Sequence, residues 1–338
     1  MKKWRMLLLA LLLALLCGCA ASEPLPDYAP EESQRLILYT SHKKEVWQPI
    51  VKEFEARTGV WVTVVEGGSN ELLEQLAAKT DAPQADVMFG GGVESLESYQ
   101  DLFAPYTCAD ADAILPQYRA KDDIWTPFSS LPLVFVYNPK LVGAEEITGW
   151  ADLLRPELAG KIAFADPSVS GSSYTALVTM LCALPGETDE ILQAFAENLD
   201  GKQLQSSGAV LTAVAGGQAV VGVTLEETAS RSIAAGDELV MVYPADGMSC
   251  VPDGCAILKG APHEENAKLF VDFTVSLSVQ KLLQERFCRR SVRDLESTGT
   301  LPALSQIPQV DYDVSWASRS REALLMSWEF YLGTEAGA

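Results

Sequence analysis

Two apolar spacings alternate along the first third of the chain. Leu36-Ile37-Leu38, closing at Tyr39-Thr40, is a short continuous apolar run and reads as a strand. After Ser41, Val46, Ile50, Val51 and Phe54 recur at the spacing of one helix face, and Gly59 stands where a left-handed C-cap is wanted. Val60 to Val65 is rich in β-branched residues and predicts a second strand. Gly67-Gly68-Ser69 turns into a helix whose apolar face is Leu72, Leu73, Leu76 and Ala77. Ala85 to Phe89 is a third short strand, ending in Gly90-Gly91-Gly92. Strand, turn and helix in repetition predict an α/β sheet with parallel strands.

The pattern restarts near Pro127. Leu131 to Asn138 reads as a buried strand, Trp150 to Leu154 as a short helix and Gly160 to Phe164 as a strand. Ser170-Gly171-Ser172-Ser173-Tyr174 leads into a helix from about Thr175 to Leu184. Val210 to Val214 is helical, and Ala219 to Val223 and Glu238 to Tyr243 are strands. Gly254 to Leu258 reads as a strand returning to the first unit, and Ala267 to Phe287 and Ser320 to Leu332 as helices. The expected fold is α/β with two lobes, the second inserted in the first. Lobe 1 comprises 35–126 and 256–300, lobe 2 comprises 127–255, and 301–338 is a helical tail packed on the lobes.

The N-terminus follows a different rule. Met1 to Arg5 is basic, and Met6 to Leu16 is almost wholly Leu and Ala. A basic start, an apolar run shorter than the ~20 residues of a membrane-spanning helix and small residues at the cut predict a signal peptide over 1–18. Leu16-Cys17-Gly18-Cys19 resembles the lipobox of bacterial lipoproteins, which implies lipidation of Cys19. Leu16, rather than a small residue, precedes Cys17. Residues 19–34, rich in Pro, Glu, Ser and Asp, read as a flexible spacer. The expected location is extracytoplasmic, lipid-anchored to the cell membrane.

With 25 basic and 46 acidic residues the formal charge is −21, which argues against nucleic acid and against electrostatic adhesion to anionic lipid. A locally electropositive pocket still suits a small anionic solute. Apart from Cys19, an odd set remains in the mature chain, Cys108, Cys182, Cys250, Cys255 and Cys288. Cys250 and Cys255 flank a turn-rich stretch and are candidates to bridge it. His42 and His263 are the whole histidine complement, and no CxxC pair suggests zinc. No metal site or cofactor is expected.

The order of elements resembles the type II periplasmic binding proteins, the solute receptors of ABC importers. The nearest branch holds the ferric-ion, thiamine, sugar-phosphate and 2-aminoethylphosphonate receptors. Leu38-Tyr39-Thr40-Ser41, Phe54 to Gly59, Ala85 to Gly91, Gly149 to Leu154, Gly160 to Pro167 and Ala267 to Phe273 carry the resemblance. It implies two lobes joined by a hinge, with solute held in the cleft and released to a permease and ATPase complex. A monomer is expected.

Ligands in open α/β sheets lie beyond the carboxyl ends of the strands. Ser41-His42, Gly67 to Asn70, Gly90 to Gly92 and Ser170 to Ser173 fit that position, and three of these loops open a helix. Unpaired first-turn amides, the helix dipole and serine hydroxyls together bind anions. The candidate ligand residues are Ser41, His42, Gly68, Ser69, Gly91, Ser170, Gly171, Ser172, Ser173 and Tyr174. Each serine alone is equally a helix cap and each glycine a turn residue. Where the ferric-ion receptors carry adjacent tyrosines, this chain has Thr224-Leu225-Glu226-Glu227, and it has no Tyr-Tyr pair. Thr224, Glu226 and Glu227 join the candidates: a carboxylate at Glu226 or Glu227 suits a ligand with an ammonium or hydroxyl group, and the other reading of either glutamate is an exposed acidic helix start. Asp246, in a segment resembling the family's hinge side, either meets ligand or forms a turn. Trp125 stands beside the expected crossover, where it has a chance of reaching the cleft.

No GxSxG, HExxH, P-loop or GxGxxG motif marks an enzyme. The reading is a receptor for a small phosphoryl or phosphonyl solute of the 2-aminoethylphosphonate or sugar-phosphate type. The alternatives are a ferric-iron receptor, a sensory binding lipoprotein and a carboxylate-dependent hydrolase.

Overall fold

The structure, a computed structural model, describes residues 30–78, 85–141, 147–295 and 301–333. The signal peptide, Cys19 and most of the spacer lie outside the described residues. Every element below belongs to the unit that begins at Glu32.

Among the described residues two sheets form. The first contains β1 (Arg35–Thr40), β2 (Trp61–Glu66), β3 (Val87–Gly92), β4 (Phe103–Ala104) and β5 (Thr126–Ser130). The second contains β6 (Leu133–Tyr137), β7 (Ile162–Ala163), β8 (Val221–Leu225) and β9 (Val240–Val242). β10 (Pro252–Leu258) and β11 (Arg290–Ser291) return to the first sheet. Its order is β11-β5-β10-β3-β1-β2, with β4 on β10; the second runs β7-β8-β6-β9. β1 is parallel to β2 and β3, as the strand–turn–helix rhythm requires, whereas β10 pairs antiparallel with β3.

β1 is covered on both faces. Leu36 and Leu38 pack with Val46, Ile50, Val51 and Phe54 of α1 (Lys44–Thr58). Ile37 and Tyr39 pack with Leu72, Leu73 and Leu76 of α2 (Ser69–Ala77). A near-continuous apolar run is what a doubly covered parallel strand needs, and each fully buried large side chain contributes about 1.5–3 kcal/mol. Gly59 takes the left-handed conformation at the end of α1, with φ 73°.

Several boundaries differ from the sequence reading. Gly90 to Gly92 continue β3 instead of ending it, and α3 (Val93–Ser98) follows directly. β5 and β10 lie wholly in the first sheet, whereas the sequence put 127–130 and 252–255 with the second lobe. Pro252 opens its strand, a position where proline is tolerated. The two crossing segments run side by side, Leu131 N donating to Val251 O at 3.2 Å and Leu133 N to Ser249 O at 3.3 Å.

The remaining helices are α4 (Gly171–Ala183), α5 (Thr188–Leu199), α6 (Ser207–Ala215), α7 (Glu226–Ala234), α8 (Glu264–Val275), α9 (Leu277–Phe287) and α10 (Val314–Gly333). The single helix expected over 267–287 is two, parted at Ser276. α10 touches both lobes. Trp328 buries its ring against Phe164 and Phe195 of the second lobe, and Ser318 meets Ser98 of α3. No helix among the described residues is long and apolar enough to cross a membrane.

Candidate functional site

A cavity of about 300 Å³ lies between the two sheets. One lobe supplies Ser41, His42 and Lys43 after β1, Gly68 and Ser69 at the start of α2, Gly91 and Gly92 at the end of β3, Asp253 and Arg289. The other supplies Ser170, Gly171, Ser172 and Thr175 at the start of α4, Gln205 to Gly208 at the start of α6, and Glu227 and Thr228 at the start of α7. Leu131 and Val251, from the crossing segments, also line it.

α2, α4 and α6 all begin on this cavity. The first amides of each helix have no helical partners, and each helix brings the positive end of its dipole to this cavity. The N-cap of α2 is Gly68, which has no side chain, the N-cap of α4 is Ser170, which makes no side-chain capping bond, and Lys43 fills that position in α1. The capping role open to Ser41, Ser69 and Ser170 is thus not used. Ser170 Oγ lies 3.2 Å from Ser172 Oγ instead. α6 differs, because Ser206 Oγ accepts from Ala209 N at 3.3 Å. A Cβ at Gly208 would sit 3.5 Å from Lys43 Nζ, so an ammonium from the first lobe reaches the start of α6.

The lobes are closed on one another here. Asn70 Nδ2 donates to Ser168 O at 2.8 Å, and a Cβ on Gly171 would come within 2.9 Å of Ser69 Oγ. Gly91 has φ 93°, a conformation open to glycine, and a Cβ there would press on Ser69.

The cavity also holds a buried charged cluster. Arg289 Nη1 donates to Asp253 at 2.7 Å and to Ser129 Oγ at 3.0 Å, and Nη2 donates to Glu227 at 3.3 Å. Burial works against the Arg289 charge, but the Glu227 and Asp253 carboxylates outweigh it. Burial raises Asp253 above the usual carboxylate range, partly offset by Arg289. Burial, reinforced by Arg289, holds His42 well below its ordinary value, so its imidazole is neutral. His42 Nε2, Glu227 Oε2 and Arg289 Nε are buried without a hydrogen-bond partner, on three residues that line one cavity.

Of the sequence candidates, Ser41, His42, Gly68, Ser69, Gly91, Ser170, Gly171, Ser172 and Glu227 line this cavity. Five others are placed elsewhere. Ser173 is buried and donates to Ser170 Oγ at 3.2 Å, while the Tyr174 hydroxyl donates to Ala317 O of α10. Helical spacing turns both away from the space that Ser172 faces. Thr224 is buried within β8. Glu226 is held at 2.7 Å by both Nε and Nη2 of Arg290. Asp246 accepts from Trp150 N at 2.7 Å and so caps the 3₁₀ turn Trp150–Leu154. Trp125 packs in the core with Met88 and Phe103 and does not line the cavity. Cys250 and Cys255 are free thiols; Cys255 is buried in the first-sheet core, and the Cys250 thiol meets Met248.

Arg289, Asp253 and the Gln205 to Gly208 loop were not singled out from sequence. Ser206-Ser207-Gly208 repeats the Ser/Gly helix-start signal of Ser170 to Ser173 and was legible. Arg289 and Asp253 carry no local signature.

Residues 36–287 match the family model described as bacterial extracellular solute-binding protein. The chain belongs to that family. This solute-binding protein is 26% identical to iron uptake protein A1 of Synechocystis sp., over 80% of its own length and 78% of that protein. It is 23% identical to a putative 2-aminoethylphosphonate-binding periplasmic protein of Salmonella typhi, over 69% of each. It superposes with a TM-score of 0.81 on the periplasmic binding protein AfuA of Actinobacillus pleuropneumoniae bound to fructose-6-phosphate. That pair is 27% identical and covers 88% of this chain and 98% of the other. The type II periplasmic-binding fold is thereby established, as is a solute-binding role of the ABC-importer type outside the cytoplasm. The solute-binding protein is a binding protein and not an enzyme, so the hydrolase alternative falls.

Proposed function

We propose that this protein captures a small phosphoryl or phosphonyl solute by hinge closure and delivers it to an ABC permease, as a monomer tethered through lipid on Cys19. The convergence of the α2, α4 and α6 N-termini on one space, with Ser69, Ser170 and Ser172 hydroxyls among them, carries this reading. Such amides and hydroxyls suit the oxygens of a phosphate or phosphonate. His42 Nε2 and Arg289 Nε, buried without hydrogen-bond partners, and the Glu227 carboxylate beside them suit the hydroxyls or ammonium at the solute's other end. The similarity to AfuA bound to fructose-6-phosphate supports the phosphoryl reading.

Ferric iron is the second reading, favoured by the relatives named for iron and by the oxygen and nitrogen donors Asp253, Glu227 and His42. Against it, the Arg289 guanidinium already bridges the two carboxylates. A thermal-shift screen of 2-aminoethylphosphonate, fructose-6-phosphate and ferric citrate separates the readings, because a ligand at 100 times its Kd adds about 2.7 kcal/mol. The expected result is a raised midpoint with a phosphoryl compound, weakened about tenfold or more in Ser172→Ala by loss of a charge-assisted hydrogen bond. A shift with ferric citrate alone rejects the proposal.

A further inference from the structure

Four ion pairs join end to end along one flank of the cleft. Asp253 holds Arg289 at 2.7 Å, Arg289 reaches Glu227 at 3.3 Å, Glu227 Oε2 lies 3.5 Å from Arg231 Nη1, and Arg231 Nη2 meets Glu45 at 2.9 Å. The signs alternate along the whole run. It crosses between the lobes twice, from Arg289 beyond α9 to Glu227 on α7, and from Arg231 on α7 back to Glu45 in the first turn of α1. Side-chain exposure climbs from 2% at Asp253 to 55% at Glu45, so the run extends from the cleft interior to its rim. Glu227 and Arg231 stand four residues apart on one helix face, the spacing that brings such side chains together. Glu227 lines the cavity, and one of its oxygens faces Arg231 without a hydrogen-bond partner.

The two ends of the run behave differently. Removing a member of the buried end strands an uncompensated charge, so that end is fixed by the fold. An exposed rim pair changes an equilibrium constant only a few-fold. The equilibrium such a pair biases in a hinged protein is that between open and closed lobes. We infer that Arg231 is a positioning residue with two contacts: it latches α7 to Glu45 across the cleft mouth, and it holds the Glu227 carboxylate toward the cavity. The lobes are therefore biased toward closure before any ligand enters. The inference concerns the empty protein and stands or falls apart from the identity of the solute.

Hydrogen–deuterium exchange of the full chain without ligand, at low salt, tests it. The amides of Gly68 and Ser69 in the first lobe and of Ser206 to Gly208 in the second line the same cavity and report its opening. Glu45→Gln and Arg231→Gln should each speed their exchange about two- to fivefold, as should about 0.5 M salt on the unmutated protein. The double variant should exchange no faster than Arg231→Gln alone, because the two changes remove one shared contact. Exchange at the unmutated rate in Glu45→Gln, or effects of the two changes that multiply, would overturn the latch. Glu45 lies at the exposed rim, so its variant reports even where Arg231→Gln unfolds.

Discussion

Glu94 shows how a single side chain records the closed state. It lies in the first turn of α3 in the first lobe, is fully buried, and accepts from the Thr175 hydroxyl of α4 in the second lobe. Burial raises its carboxyl from 4.5 to about 7, against the hydrogen bond from Thr175. The folded protein therefore holds a proton that the unfolded chain has released between those values. Its stability is greatest below about pH 4.5 as far as Glu94 is concerned, and declines as pH rises through about 7. Glu94→Gln is expected to flatten this decline and to gain up to about 3 kcal/mol at pH 8 over the unmutated protein. Urea unfolding from pH 4 to 8 checks it, and parallel profiles would refute the assignment. Nothing in the sequence marks Glu94, since its burial depends on a partner 81 residues away.

At the scale of elements, the site is a meeting of helix starts. α2 and α4 face each other with glycine at the closest point, where a side chain on Gly171 would meet Ser69. Gly171→Val is expected to hold the two helices apart. Binding of the compound that shifts the unmutated protein should weaken at least tenfold, while the unfolding midpoint without ligand changes little. Isothermal titration beside thermal unfolding reads both, and unchanged affinity would show that the lobes need no such close approach. The Ser/Gly loops before α2 and α4 were legible because helix starts have local chemistry. The Thr224 to Glu227 stretch was legible only in part. Its strand end was plain, but which glutamate faces the cavity depends on Arg290, which claims Glu226.

For the whole molecule, α10 ties the lobes together on the side of Tyr174 and Ser98, remote in sequence from both crossing segments. Trp328 is its anchor, fully buried against Phe164 and Phe195. Trp328→Ala is expected to cost about 3–5 kcal/mol in urea unfolding, the cavity cost of a large aromatic core residue. A loss below about 1 kcal/mol would show that α10 is peripheral to stability. The expected tail helix begins at Val314, earlier than the apolar pattern indicated. Its first turns meet α3 and α4, and that tertiary contact extends it.

The sequence by itself determined the elements, their order in two α/β lobes and the Ser/Gly character of the loops that open into the cleft. Those properties are local: hydrophobic period, β-branching and helix-start chemistry act within a few residues. Tertiary structure alone decided which polar groups share the cavity. Ser129 and Asp253 meet across 124 residues, and Asp253 and Arg289 across 36. No periodicity marks such partners, because what selects them is the cost of burying a charge without a counter-charge, and burial exists only once the chain has folded.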